Sequence, residues 1–152
     1  MKRDFAVAVK AIIIKENKAL VLSRSKKEME NSFMNSHQKW DLPGGGVHFY
    51  EKSEEGLLRE IMEETALTVQ VGVPLSLYDA IKQHIHLCIF TYLCRWEAGD
   101  VILSEEHDDF LWLTEKEVAE SDLPHWIKRD VQAAFRMLAL EAKGNQTAEV
   151  QQ

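Results

Sequence analysis

Cysteine is scarce in this chain, with two in 152 residues, Cys88 and Cys94, both inside an apolar run. A disulfide-built secreted scaffold is therefore not expected, and buried, reduced thiols suit a cytoplasmic protein. A lone pair at this spacing is poor evidence for zinc. Long hydrophobic runs are missing too: none approaches the roughly 18 residues of a membrane span, so no membrane partner is expected. The opening MKRDFAVAV starts basic but is interrupted by Asp4 and Lys10, and reads as a first strand and not a signal peptide. Basic charge is short, with 18 Lys and Arg against 25 Asp and Glu and a net charge of −7. That balance argues against non-specific nucleic-acid binding, although a metal site can still take a phosphorylated ligand locally. Repeats, low-complexity tracts and a second domain boundary are also lacking, and the length suits one domain with a proper core.

What is present begins with residues 5–14, rich in Val, Ile and Ala, and residues 19–23, separated around Asn17 and Lys18. The pair predicts a hairpin, without the Asn-Gly that marks the commonest tight turn. Residues 24–39 are polar and mildly basic, with Phe33 and Met34 among their few large apolar side chains. A loop of that length is usually functional or disordered, and its place before a glycine run makes it a candidate wall of a substrate cleft. Arg24, Lys26 and Lys27 are placed to meet phosphate or sugar; a solvated loop accounts for each of them equally well.

Further on, residues 67–73 alternate as a half-buried strand, with 75–81 continuing beyond Pro74. Residues 84–96 form the longest strand candidate, expected to be buried on both faces at its centre. His84 and His86 share a face at a spacing that can hold a metal, but no third ligand is evident, so a structural or cleft-lining role is preferred. Thr114 to Glu117 spell a capping box. Pro124 opens a helix with a stripe of Trp126, Ile127, Val131, Ala134, Phe135, Leu138 and Leu140, ending at Lys143-Gly144. The expected organisation is one domain over 1–143 and a flexible tail over 144–152.

The most informative stretch runs from Pro43 and Gly44-Gly45-Gly46 into a helical pattern that carries Glu60, Glu63 and Glu64. At about 100° per residue the three carboxylates share one arc, with Leu57, Leu58, Ile61 and Met62 opposite. Like charges at i and i+4 cost an isolated helix roughly 0.2–0.5 kcal/mol unless a cation offsets them. Hard divalent cations take such oxygens, usually together with substrate phosphate. A solvated acidic face is the competing reading, and the three glutamates alone favour it. Glycines such as Gly45 and Gly46 let the main chain come close to an ion or phosphate. Gly56, costing roughly 1 kcal/mol in mid-helix, leaves room for a ligand or has no functional meaning.

Spacing shifts the balance. Gly45, five residues, Glu51, seven residues, then Arg59-Glu60-Ile61-Met62-Glu63-Glu64-Thr65-Ala66-Leu67 resembles the box of the Nudix hydrolases, G-x5-E-x7-R-E-U-x-E-E-x-G-U with U a bulky aliphatic. Ala66 stands where the family has its second glycine, and a different helix exit is expected there. The resemblance implies an α/β/α sandwich with a mixed sheet, and Mg²⁺- or Mn²⁺-dependent hydrolysis of a nucleoside diphosphate linked to another moiety. It implies Glu60, Glu63, Glu64 and the Gly44 carbonyl as metal ligands, and a Glu51–Arg59 pair holding loop to helix. A further acid is expected from a later loop, where Glu105, Glu106 and Asp108 compete and Glu106 is chosen.

The implied catalytic set is thus Glu60, Glu64, Arg59 and Glu106, with Arg24, Phe33, Gly45 and Gly46 towards substrate. Tyr50 and Tyr78 are further candidates to stack on a base, with packing the alternative. Family markers for particular substrates are missing: Pro74 comes too early for the ADP-ribose enzymes, and Gln83, His84 and Ile85 occupy the neighbourhood where diadenosine polyphosphate enzymes carry a tyrosine. A small nucleoside triphosphate, oxidised or deoxy forms included, is the first choice. ADP-ribose or another nucleotide sugar, a non-catalytic nucleotide sensor, and an isomerase on the same scaffold are the alternatives. The isomerase is disfavoured by the lack of a cysteine in the glycine region. Family precedent allows a homodimer.

Overall fold

Strands β1 (Asp4–Lys15) and β2 (Lys18–Arg24) are joined by Glu16 and Asn17, both at positive φ, 50° and 62°. Two left-handed central residues make a turn whose twist matches that of the strands, so the hairpin forms with Glu-Asn in place of Asn-Gly. The computed structural model describes residues 4–31 and 38–150, with side chains through 146. A short helix, α1 (Lys26–Asn31), occupies part of the expected loop. Phe33 and Met34 lie outside the described residues. Then follow β3 (Trp40–Asp41), β4 (Gly44–Gly46), α2 (Ser53–Thr65), β5 (Thr68–Lys82), β6 (Ile85–Ala98), β7 (His107–Thr114), α3 (Glu115–Glu120) and α4 (His125–Val150).

The strands form one mixed sheet, in which β1 runs parallel to β6 from Asp4↔Ile85 to Ile14↔Arg95 and every other pairing is antiparallel. β1 and β2 pair only at Ile14↔Ala19 and Lys15↔Lys18. Beyond that base they part. β2 goes on along β7, while β4 pairs with β1 at Ala8 to Lys10 and β3 with β2 at Leu22 and Ser23. The glycine segment is thereby stitched into the gap between the diverging strands. β5 passes through Pro74, where the register shifts on both sides, because a residue without an N–H cannot continue the ladder.

Helices cover both faces. Ile12, Ile14 and Leu93 pack with Val118 of α3 and Ile127, Val131 and Ala134 of α4. On the other face Val9, Ala11, Ile13 and Cys94 pack with Leu57 and Ile61 of α2. This is the α/β/α sandwich that the resemblance implies. Among the described residues no helix is long and apolar enough to cross a membrane.

Several details differ from the sequence reading. α2 buries Leu57, Ile61, Glu64 and Thr65, whereas Leu58 and Met62 are 41% and 49% exposed. The helix is rolled so that an acid, and not Leu58 or Met62, faces inward. Ala66 itself takes the left-handed conformation at φ 61°, donating its N–H to the Met62 carbonyl, so the exit has the geometry of a glycine cap without the glycine. The first half of β6 is only half-buried; full burial is confined to Thr91, Leu93 and Cys94, where the helix cores lie. Cys88 is accordingly half-exposed, and both cysteines are free thiols. α4 does not end at Lys143-Gly144 but runs to Val150. A single mid-helix glycine costs about 1 kcal/mol without removing a backbone hydrogen bond, and Gly144 faces open space.

Candidate active site

Arg59 ties the loop after β4 to α2. Its Nε and one terminal nitrogen donate to the two Glu51 oxygens at 2.8 and 3.0 Å, a bidentate contact. The same guanidinium reaches the Gly46 carbonyl at 3.0 Å, Glu60 Oε1 at 3.0 Å and Glu63 at 3.4 Å. Glu51 also accepts the His48 N–H at 2.9 Å. Arg59's hydrogen bonds, with that N–H second, hold the Glu51 carboxyl at about 2. Gly56 finds its reason here: a Cβ on it would stand 2.8 Å from Glu51 Oε1, so the space is filled by Glu51 and not by a ligand. Gly45 lies so close over Glu60 that a Cβ would sit 2.7 Å from its carboxyl carbon.

Glu64 turns the other way. Its side chain is buried, 4% exposed, and accepts the Gly44 N–H at 3.0 Å. Gly44 is at φ 139°, and a Cβ there would overlap the Val9 carbonyl oxygen at 2.0 Å, so only glycine fits. Burial pushes the Glu64 carboxyl up to about 9; the charge of Lys10 and the Gly44 N–H work against this, while Asp41 and Glu106 add to it. Glu64, Glu106 and His107 each bring a possible ligand atom within 4.8 Å of the others. The β2–β7 pairing delivers the last two, since Arg24 stands opposite His107 and Ser25 donates its N–H to the Glu106 carbonyl at 2.8 Å.

Three residues that the sequence reading did not select complete this region. Lys10 Nζ lies 3.1 Å from Asp41 Oδ1 and 3.2 Å from the Leu42 carbonyl. His107 is buried, with Nε2 at 3.5 Å from Asp41 Oδ2 and Nδ1 without a partner. Burial opposes ionisation of Asp41, yet the Lys10 charge and hydrogen bonds from His107 and Lys10 hold its carboxyl at about 2. The available signal was Lys10, a cation interrupting an otherwise apolar strand.

The helix acids therefore fall into two groups. Glu60 and Glu63 share Arg59, and Glu64 joins Glu106 and His107. These residues fit a hard divalent cation. A guanidinium nitrogen already stands between Glu60 and Glu63, where positive charge is favoured, and Glu64 is a buried carboxyl whose ionised form needs one.

Beside the glycine strand lies a cavity of about 430 Å³, whose lining includes Gly45 and Gly46, the aromatic residues Trp40, Tyr78 and Trp126, the cations Lys10, Arg24 and Arg129, and the acids Glu28, Asp41 and Asp130. Arg24 is buried and donates to the Gln38 and Glu28 carbonyls at 3.2 and 3.3 Å. Tyr78 lines the cavity, whereas Tyr50 is 97% exposed and Lys26 and Lys27 stand outside it.

A family profile described as the NUDIX domain matches residues 4–135. The chain is similar to a nucleoside triphosphatase NudI of Escherichia fergusonii, 31% identical over 96 residues, covering 56% of this chain and 68% of that protein. It is also similar to a MutT-like protein of Streptomyces ambofaciens, 30% identical over 115 residues, covering 76% and 68%. Among solved structures, a MutT protein from Methanosarcina mazei Go1 superposes with a TM-score of 0.73 at 27% identity, over 90% of this chain and 97% of that one.

Proposed function

The chain belongs to the Nudix hydrolase family, and from that membership we propose that it cleaves a small nucleoside triphosphate, oxidised or deoxy forms included, to the monophosphate and pyrophosphate. The observation that carries this reading is the cavity, whose lining brings Trp40, Tyr78 and Trp126 together with Gly45, the glycine that lies against Glu60. Its volume of about 430 Å³ suits one small ligand. Tyr78, Trp40 and Trp126 are the aromatic side chains of the lining that a base could meet, and Arg24, Lys10 and Arg129 bring positive charge to it, with Lys10 paired to Asp41 until phosphate competes. Similarity to a protein named as a nucleoside triphosphatase supports the same substrate class.

Glu60, Glu63, Glu64 and the Gly44 carbonyl would hold Mg²⁺ or Mn²⁺. When bound, such an ion neutralises diphosphate oxygens and lowers the pKa of a coordinated water. Arg59 positions Glu60 and Glu63 and fixes the glycine strand through Gly46. Glu106, exposed and next to Glu64, accepts the proton of the attacking water.

The test is a panel of nucleoside triphosphates and nucleotide sugars with Mg²⁺, reading monophosphate and pyrophosphate. Triphosphates should be turned over best, and Glu63→Gln and Glu106→Gln should each lower kcat more than about 100-fold, in keeping with the several kcal/mol that metal-assisted catalysis supplies. Faster cleavage of nucleotide sugars would overturn the substrate assignment. Wild-type rates in both variants would overturn the assignment of residues.

A further inference from the structure

Away from this site, three side chains of different chemistry converge on the β5–β6 hairpin. Asp79 and Cys88 are direct cross-strand neighbours, and His86 lies two residues along β6 on the same face. The adjacent pair Tyr78↔Ile89 points into the nucleotide cavity, so the Asp79–Cys88 pair is on the opposite face of the sheet. His86 Nε2 is 2.9 Å from Asp79 Oδ1, Cys88 Sγ is 3.1 Å from the same oxygen, and Sγ is 3.9 Å from Nε2. Ligand atoms at the corners of a tetrahedral Zn²⁺ site are separated by about 3.3–3.6 Å, given Zn–N, Zn–O and Zn–S distances of roughly 2.0–2.3 Å. The observed triangle brackets that size. The sequence suggested only a pair of histidines; folding exchanges His84 for Asp79 and Cys88.

We infer that Asp79, His86 and Cys88 form a transition-metal site, separate from the glutamate site and suited to Zn²⁺, with a fourth position open to solvent. The donor set explains the selectivity. Thiolate, imidazole and a single carboxylate suit a borderline ion, whereas Mg²⁺ requires oxygen ligands. All three groups are partly exposed, so the ion has a path in, and the open corner leaves room for water. The Phe5 ring meets His86 edge-on at 5.1 Å and 86°, restricting the orientation of the imidazole. Binding exchanges the thiol proton, now directed at Asp79, for the metal; that proton leaves to solvent. The Nε2 proton that His86 gives to the Asp79 carboxylate moves through solvent to Nδ1, and metal–sulfur, metal–nitrogen and metal–oxygen bonds replace the two hydrogen bonds to Asp79. The ion would pin β5 to β6 near the end of the hairpin.

The experiment uses the full chain stripped of metal, then titrated with Zn²⁺ under excess Mg²⁺ to occupy the carboxylates, and separately with Co²⁺ as a spectroscopic probe. Wild type should take up Zn²⁺ and show the thiolate-to-cobalt charge-transfer absorption. Cys88→Ser should lose that absorption, and Cys88→Ser, His86→Ala and Asp79→Asn should each weaken Zn²⁺ binding by more than about 100-fold, beyond the 10- to 100-fold typical of outer-shell partners. Metal-free melting curves of the variants should match wild type, showing an intact fold, and Zn²⁺ should raise Tm in wild type alone. Mg²⁺-dependent turnover of Cys88→Ser should equal that of wild type. Absence of the absorption in wild type, its persistence in Cys88→Ser, or equal Zn²⁺ affinity across all four chains would overturn the assignment.

Discussion

Ala66 shows how a single side chain can be carried at a cost. A non-glycine residue in the left-handed region is disfavoured by roughly 1–2 kcal/mol, and Ala66 occupies that region at φ 61° to end α2. Ala66→Gly is therefore expected to stabilise the chain by about 1 kcal/mol, net of the greater freedom of glycine in the unfolded state, raising Tm by about 2–4 °C. Thermal unfolding checks this, and a lowered Tm would count against it. Glu51 gives a pH prediction. Its carboxyl is held at about 2 against an ordinary 4.5, so the folded chain binds fewer protons than the unfolded one over that interval. The stabilisation is complete above about 4.5 and is lost as pH falls towards 2. Urea midpoints across this range should show a slope that Glu51→Gln flattens; an unchanged slope would mean that the Arg59 contact contributes nothing.

Helix α2 and the glycine strand work as a pair because Arg59 spans both. Lysine has one compact charge and cannot span two Glu51 oxygens, Glu60 and the Gly46 carbonyl at once. Arg59→Lys should lower kcat by about 10- to 100-fold, the effect of misplacing the reacting geometry by about 1 Å. KM should stay near wild type, since Arg59 does not line the cavity. A variant changed in KM alone would make Arg59 a substrate contact instead. The acidic arc of α2 was legible from its period, but which acid faces inward was not. That depends on how β4 lies against the helix, with the Gly44 N–H aimed at Glu64.

Across the whole molecule the sheet separates two cores, one under α2 and one under α3 and α4. Ile61→Val and Ile127→Val, one on each side, should each cost about 0.5–1.5 kcal/mol. Together they should add to within about 0.3–0.5 kcal/mol, as expected of sites without shared partners. Denaturant unfolding of the two single variants and the double variant measures this, and a coupling above that range would show that the layers communicate through the sheet. The amino-acid sequence by itself determined the opening hairpin, the acidic helix, the strands that follow it, the start of the last helix, the capping box, and the box spacing from Gly45 to Leu67, because each rests on local period or local backbone chemistry, while α1 and the end of α4 escaped it. Tertiary structure decided the rest: that Lys10, Asp41 and His107 meet, that Glu64 is buried while Glu60 and Glu63 share Arg59, and that Asp79 faces Cys88 and His86. Those meetings depend on strand register and on the divergence of β1 from β2, and registry between distant segments leaves no periodic trace along the chain.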